Sequence, residues 1–326
     1  MQAPDFWRRK GGALGGILAP LGWFYGLVVR LRFALSRPVK APVPVLCIGN
    51  FVTGGAGKTP VALNLARRFI AQGRKVCFLT RGYGGRLAGP VRVDPETHTA
   101  LDVGDEALLL ARVAPTWAAG DRARGLAAAA GDGSPDVVIM DDGFQNPSIA
   151  KDLSLLVVDG EYGFGNGHAL PAGPLREPVG SALKRADGVV LVGQDDSGVG
   201  LAIKASSLPL LQVWPRPGPE AAELEGKSVV AFAGIANPEK FFHTLQEAGC
   251  VVESAHGFDD HHLFTKEEIS RLKGEAENRN ARLVTTEKDA ARLSAMDLDG
   301  VSVVSLFLEW EDETSLDAAL RPLFSD

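Results

Sequence analysis

From Pro42 onward the chain alternates short apolar runs with longer segments whose apolar residues recur at helical spacing. "VPVLCIGN", "KVCFLT", "DVVIMDD", "LSLLVVDG" and "GVVLVG" are almost continuously apolar. A strand with one wet face would alternate, so these runs predict strands buried on both faces, as in a parallel sheet flanked by helices. Between the first two, residues 59–72 set Ala62, Leu65, Ala66, Phe69 and Ile70 on one helical face. Around 208–220 the pattern breaks: "LPLLQVWPRPGPE" is proline-rich and reads as a linker or domain edge. A second series then runs through "SVVAFAG", a helix over 238–248, "CVVESA", a helix after Thr265, "ARLVTT", "VSVVSLFLEW" and a closing helix near 315–323. The pattern predicts two α/β lobes, the first larger, with a cleft between them. We bound them as a leader (1–40), a first lobe (41–215) and a second lobe (216–326) whose last helix is free to pack back on the first.

The leader departs from this pattern. "GGALGGILAPLGWFYGLVV", residues 11–29, is uncharged and flanked by Arg and Lys. It is just long enough to cross a bilayer, but Pro20 and its glycines weaken it as a span. It lacks the small-residue cleavage site of a signal peptide. Trp7, Trp23, Phe24 and Tyr25 suit the headgroup level and the basic flanks suit anionic lipid, so we read an interfacial segment. A helix packed on the body is the alternative.

Charge sharpens the contrast. The chain carries −6 overall, but residues 1–40 carry +6, leaving −12 for the rest. An acidic body argues against nucleic-acid binding, which wants a basic footprint. The three cysteines, Cys47, Cys77 and Cys250, form no CxxC pair, so neither a zinc knuckle nor a disulfide framework is predicted. No obligate protein partner is evident.

"GNFVTGGAGKTP", residues 49–60, carries the strongest chemistry. Lys58 and Thr59 after Gly57 make the end of a Walker A loop, after a buried strand and before a helix. Such a loop cradles phosphates with backbone N–H groups, neutralises them with its lysine and offers its threonine hydroxyl to Mg²⁺. Val52 stands where the strict pattern has glycine. The run Val137–Met140 leads straight into Asp141 and Asp142, as in a Walker B strand that supplies a carboxylate for Mg²⁺. The two elements predict nucleotide hydrolysis or phosphoryl transfer. "TEKD" is a poor match to a GTPase base reader, and a helix start explains it as well.

Seven further strings occur in order: "LTRGYGG", "VGDEALLLAR", "DRARG", "DDGFQN", "GNGHALPAGPLREP", "FDDHHLF" and "TTEKDAARL". Together they resemble the tetraacyldisaccharide 4'-kinases, from the leader to the TEKD segment. The resemblance implies a P-loop NTPase-like lobe, ATP and Mg²⁺, a lipid disaccharide 1-phosphate as acceptor, and work against an anionic membrane at the cytoplasmic face of the bacterial inner membrane. It implies a nucleotide loop of Val52, Thr53, Gly54, Gly55, Ala56, Gly57, Lys58 and Thr59, and magnesium-side groups at Thr59, Asp141, Asp142 and Glu177. It implies a base at Asp105, assisted by His261.

The residue types suit that chemistry. Phosphoryl transfer is mostly positioning and charge stabilisation, so a carboxylate need only hold a hydroxyl in line and take its proton late. Arg81, Arg122 and Arg176 are candidates for phosphate oxygens. Each has a plainer alternative: Asp105 as a helix N-cap, Glu177 as a surface acid, Arg122 and Arg176 as structural ion-pair residues. In "GFDDHHLFTKEE" adjacent histidines do not easily share one metal ion, and Thr265 with Glu268 fits a capping box. We expect His261 to face Asp105 across the cleft. The competing function is a membrane-tethered GTPase or ATPase switch or metal chaperone, with the DDHH cluster as its metal surface.

Overall fold

The phosphate loop lies at the centre of a sheet because the most continuously apolar runs take the central strands. The computed structural model describes residues 4–8 and 12–324. Within them, nine strands form one sheet: β1 (Val45–Gly49), β2 (Val76–Thr80), β3 (Val91–Arg92), β4 (Thr116–Ala118), β5 (Val137–Asp141), β6 (Leu153–Asp159), β7 (Gly188–Val192), β8 (Leu210–Pro217) and, from the end of the chain, β13 (Leu306–Trp310). The order is β13-β8-β7-β6-β1-β5-β2-β4-β3. β1 pairs parallel to β5 on one side and to β6 on the other. Every residue of β1, β2 and β5 is buried, as the unbroken apolar runs require.

Two apolar layers sandwich this sheet. On one face Val61, Leu65 and Phe69 of α2 (Lys58–Ala71) pack with Leu316 and Leu320 of the closing helix Glu313–Leu320. On the other, Leu126, Ala182 and Ile203 come from the helices 122–131, 179–183 and 199–204. A second sheet of four parallel strands has the order β10-β9-β11-β12, where β9 is Ser228–Ala233, β10 Val251–Gly257, β11 Arg282–Thr286 and β12 Val301–Val304. Phe241 and Leu245 of Pro238–Glu247 cover one face, and Ile269 and Leu272 of Lys266–Asn278 cover the other.

Two sequence readings change. The proline-rich stretch is not a linker but β8. Its first half pairs with β7 as far as Val213, and Pro215 and Pro217 lie beyond that pairing, where only β13 flanks them. Proline is tolerated there because no ladder bond is asked of its missing N–H on the open side. Likewise "VSVVSLFLEW" is two strands. β12 closes the small sheet, and after Ser305 the chain crosses back so that β13 runs antiparallel to β8. The small sheet is therefore held between two neighbouring strands of the large one, and Gly218 N donates to Ser305 O (2.8 Å) where they meet.

Most of the leader is the long helix α1 (Ala13–Leu35), with Pro20 inside it, after a single 3-10 turn at Asp5–Trp7. It is long and apolar enough to cross a membrane by length and composition alone. Arg9 and Lys10, part of its expected basic flank, lie outside the described residues. Its buried positions are Gly15, Gly22 and Gly26. A Cβ at Gly22 would sit 2.6 Å from Ala169 O, and one at Gly26 3.1 Å from the Pro178 ring. Three of the glycines that weakened the reading as a span, Gly15, Gly22 and Gly26, are thus the docking face, lying on residues 166–178. The opposite face is apolar and bare, with Trp23 83 % and Leu35 81 % exposed.

Candidate active site

The register of β1 and β5 sets the first half of the site. Ile48 pairs with Asp141, so the loop after β1 and the carboxylate ending β5 emerge side by side. Gly57 takes φ +82° just before α2, and α2 then presents Lys58 and Thr59. Thr59 Oγ1 donates to Asp141 Oδ2 at 2.9 Å. Lys58 Nζ lies 3.8 Å from Asp142 Oδ1, and Arg176 Nη1 lies 3.2 Å from the same oxygen.

Val52 has a local reason. It is buried, forms an antiparallel bridge with Leu175, and is flanked by bonds from Thr53 N to Pro174 O (2.8 Å) and from Arg176 N to Phe51 O (2.7 Å). The start of the loop is extended and pinned to the LREP segment, so no glycine turn is needed there, and Arg176 and Glu177 are carried to the loop by the same contact. Glu177 is buried, and both its oxygens accept from Arg185 Nη2. Gln145 Nε2 donates to Glu177 Oε1 (3.2 Å) and to Asn50 O (2.7 Å).

These groups fit a magnesium nucleotide. Asp141 Oδ1, Asn50 Oδ1 and Arg122 Nη1 are all buried without a hydrogen-bond partner. A buried polar atom without a partner is costly, and here three border the same loop and strand end. Burial, with Glu106 and Asp142 nearby, pushes the Asp141 carboxyl up to about 7. Burial also raises Asp142, but Lys58, Arg176 and Arg122 outweigh it and hold that carboxyl below its ordinary value. Burial pushes the Arg122 guanidinium down to about 10. The unpartnered Asp141 oxygen, beside the Thr59 hydroxyl and crowded by two further carboxylates, is the group that gains from a cation.

The second half of the site crosses between the sheets. Asp105 is the first residue of the helix Asp105–Ala111, whose N-cap is Gly104, and its Oδ1 accepts from Glu106 N (2.9 Å), so it serves the helix start with one oxygen and leaves the other for contacts across the sheets. His261 Nδ1 lies 2.9 Å from Asp105 Oδ2. His261 adopts φ +62°, and its N–H donates to Gly234 O (3.1 Å). Arg292 Nε and Nη2 also reach Asp105 Oδ2, at 2.8 and 2.5 Å. Burial raises the Asp105 carboxyl, but the His261 hydrogen bond and the charges of Lys288 and Arg292 outweigh it and hold it well below the usual carboxylate range.

His262 has a different job. It stacks on Phe258 and bonds Glu268 Oε2 at 3.0 Å, and Glu268 closes the capping box with Thr265. Among the described residues no group of three or more His, Cys, Asp or Glu side chains is placed to hold a metal ion, so the DDHH stretch does not form one. In the TEKD string Asp289 is buried and bonds Thr286, Gly234 N and Arg292, so it anchors the chain internally and is not free to read a base.

A cavity of about 320 Å³ opens beside Asp142, the carboxylate that faces Lys58. Arg81, Glu106, Asp142, Gln145 and Arg176 line one side, and Tyr25, Val29, Arg32 and Phe33 of α1 line the other. Tyr83, also on its wall, stands 5.8 Å ring to ring from His261. The structure thus joins Thr59 with Asp141, Asp142 with Lys58 and Arg176, and Asp105 with His261. Arg81 enters through the cavity, Arg122 lies beneath the two aspartates, and Glu177 is given to Arg185. Sequence reading missed Arg292, Asn50 and Gln145. The i,i+3 spacing of Asp289 and Arg292 was the one visible sign of the first.

A phosphate loop on a buried parallel sheet, with a threonine–aspartate pair and a second carboxylate–imidazole pair, defines an α/β P-loop phosphotransferase. A family profile described as tetraacyldisaccharide-1-P 4'-kinase matches residues 14–325, and the chain belongs to that family. A tetraacyldisaccharide 4'-kinase of Paramagnetospirillum magneticum is 53 % identical over 99 % of this chain and 98 % of its own length. One of Parvibaculum lavamentivorans is 49 % identical over 100 % of this chain and 95 % of its own. The crystal structure of "apo" form LpxK from Aquifex aeolicus in complex with ATP superposes with a TM-score of 0.76 at 27 % identity, covering 96 % of this chain and all of that one.

Proposed function

We propose that the chain transfers the γ-phosphate of ATP to the 4'-hydroxyl of a tetraacylated glucosamine disaccharide 1-phosphate, giving lipid IVA in lipid A biosynthesis, at the cytoplasmic face of the inner membrane. The observation that carries this reading is the cavity, which has Arg81, Arg176 and the strand-end carboxylate Asp142 on one wall and the apolar helix α1 on the other. An acceptor that is a phosphosugar at one end and acyl chains at the other needs both walls at once. The bare face of α1 lies in the membrane interface, and its docked face borders the sugar.

Backbone N–H groups of residues 52–59 and the Lys58 ammonium bind the nucleotide phosphates. Thr59, Asp141 and Asp142 hold Mg²⁺, which when bound neutralises phosphate charge. Glu177 supports that set from behind, its carboxylate engaged by Arg185 and Gln145. Arg81, Arg122 and Arg176 offer guanidinium forks to the γ-phosphate or the substrate 1-phosphate. Asp105 and His261 orient the hydroxyl and receive its proton.

Labelled ATP–Mg²⁺ incubated with the tetraacylated disaccharide 1-phosphate tests the proposal. Label on the lipid is the expected result. Nucleotide turnover without labelled lipid would instead support a tethered ATPase.

A further inference from the structure

We propose that Arg185 is a positioning residue for the nucleotide site, one guanidinium that couples the seating of the leader helix α1 to the grip on ATP–Mg²⁺. This rests on the reading above that residues 52–59, Asp141, Asp142 and Glu177 serve that nucleotide. Arg185 stands in the turn after the helix Val179–Leu183, where its N–H donates to Ala182 O (3.0 Å). Its guanidinium lies over two rings from distant parts of the chain. Phe33, in the last turn of α1, has its ring centre 3.7 Å away, and Phe144, in the loop after Asp142, has its ring centre 4.6 Å away. Nη2 of the same guanidinium donates to both oxygens of Glu177, at 2.6 Å for Oε1. The Glu177 side chain is 2 % exposed.

Both contacts lead to the phosphate loop. Phe144 packs on Gly49, the last residue of β1, where a Cβ would stand 2.5 Å from Phe144 Cβ. Gln145 Nε2 joins Glu177 Oε1 to Asn50 O, and Asn50 Nδ2 donates to Gly54 O (3.4 Å) within the loop. Lys151 Nζ, 6.0 Å from the centre of the Phe33 ring, donates to Asn146 O (2.7 Å) and braces the loop after Asp142. On the leader side, Arg30 Nε donates to Ser181 Oγ (2.9 Å), which holds α1 along the helix that carries Arg185.

Arginine suits this place because its flat face stacks on rings while its edge makes hydrogen bonds, so the two contacts do not compete. When α1 lifts, the guanidinium loses the nearer ring and is freer to turn from Glu177. A buried carboxylate needs its partner, so the disturbance passes through Gln145 to Asn50, at the entry to the loop. Linkage makes the effect mutual: a nucleotide that prefers the seated form must in turn hold α1 down.

Two experiments on the full chain in detergent, without lipid, test this. Phe33 also lines the cavity, so nucleotide binding rather than lipid turnover is the quantity to read. In the unmodified protein, saturating ATP–Mg²⁺ should slow protease cleavage within residues 13–35 by about threefold or more. Unchanged cleavage while calorimetry shows the nucleotide bound would overturn the proposal, and this readout needs no variant to fold. If no nucleotide binds, the nucleotide-site reading itself has failed. Second, Phe33→Leu and Arg185→Lys should each weaken ATP–Mg²⁺ binding by about threefold or more and abolish the protection. Phe33→Tyr keeps a ring face and should stay within about twofold, as should Val29→Ala, on the same cavity wall but outside the stack. A merely structural contact would lower kcat by the unfolded fraction and leave the KM for ATP unmoved. That outcome, or equal behaviour of Phe33→Leu and Phe33→Tyr, would remove Arg185 from the nucleotide site. Should Arg185→Lys not fold, the two Phe33 variants decide the matter.

Discussion

Asp105 and His261 stand 156 positions apart in the chain and 2.9 Å apart in space. The first opens a helix beside the large sheet, and the second sits in the loop after the edge strand of the small one. Substituting Asp105 by alanine would take from the buried Arg292 one of its two carboxylate partners and leave Nε and Nη2 without an acceptor, a destabilisation that confounds the kinetics. Asp105→Asn keeps the shape. It should lower kcat by about 10²–10⁴-fold with ATP affinity within about threefold, read by steady-state kinetics and calorimetry. Unimpaired turnover would leave Asp105 only the task of pairing Arg292.

The Thr59–Asp141 hydrogen bond yields a metal prediction. Thr59→Ala removes the hydroxyl and leaves a second Asp141 oxygen without a protein partner. The Mg²⁺ concentration for half-maximal activity should rise about tenfold or more, while the KM for lipid stays nearly constant. An unaltered Mg²⁺ requirement would remove Thr59 from the metal set.

Gly16 and Gly22 lie on the same helix and should respond in opposite directions. Nothing lies within 4 Å of a Cβ at Gly16, whereas one at Gly22 meets Ala169 O at 2.6 Å. Gly16→Ala should gain up to about 1 kcal/mol from helix propensity. Gly22→Ala should lift α1 from residues 166–178 and expose it to proteolysis before the body is cut. Equal protease resistance in both variants would argue against this docking.

The bare face of α1 separates membrane affinity from chemistry. Changing Trp23 and Phe24 together to serine should weaken co-sedimentation with anionic vesicles by about tenfold or more, since each aromatic contributes more than 1 kcal/mol of burial. Turnover of detergent-dispersed substrate should change little. Deleting residues 1–30 is a harsher test, because it also removes Tyr25 and Val29 from the cavity wall. It should lower both binding and turnover, and undiminished vesicle binding would count against an interfacial α1.

Thiol chemistry reports on the core. Burial pushes the Cys47 thiol up to about 11 and the Cys77 thiol up to about 12. The thiolate is the reactive species, so neither should react with an aromatic disulfide reagent at pH 8 until the chain unfolds. Prompt modification of either in the folded protein would show that β1 or β2 opens locally.

Much of this was legible in the chain. Continuous apolar runs marked the strands around the loop, because a strand buried on both faces has no polar position to spare. The Walker strings marked Lys58, Thr59 and Asp141, because phosphate chemistry is local to one loop and one strand end. Pro215 and Pro217 misled because composition cannot say which stretch of a strand lacks a neighbour. The glycines of α1 were read as weakness because their value lies in what approaches them. Arg292 was missed for a similar reason: its partners, Gly234 and Asp105, come from distant segments, and only Asp289 is near in sequence.

The small sheet leaves the large one after β8 and returns at β13, with Gly218 and Ser305 joined by a hydrogen bond. Its two ends are therefore fixed side by side, like the base of a long hairpin loop. Closing such a loop costs only slowly more as it lengthens. A lobe closed in this way can grow, shrink or change its helices without disturbing the strands that carry the phosphate loop, provided that it still returns His261 and Arg292 to Asp105.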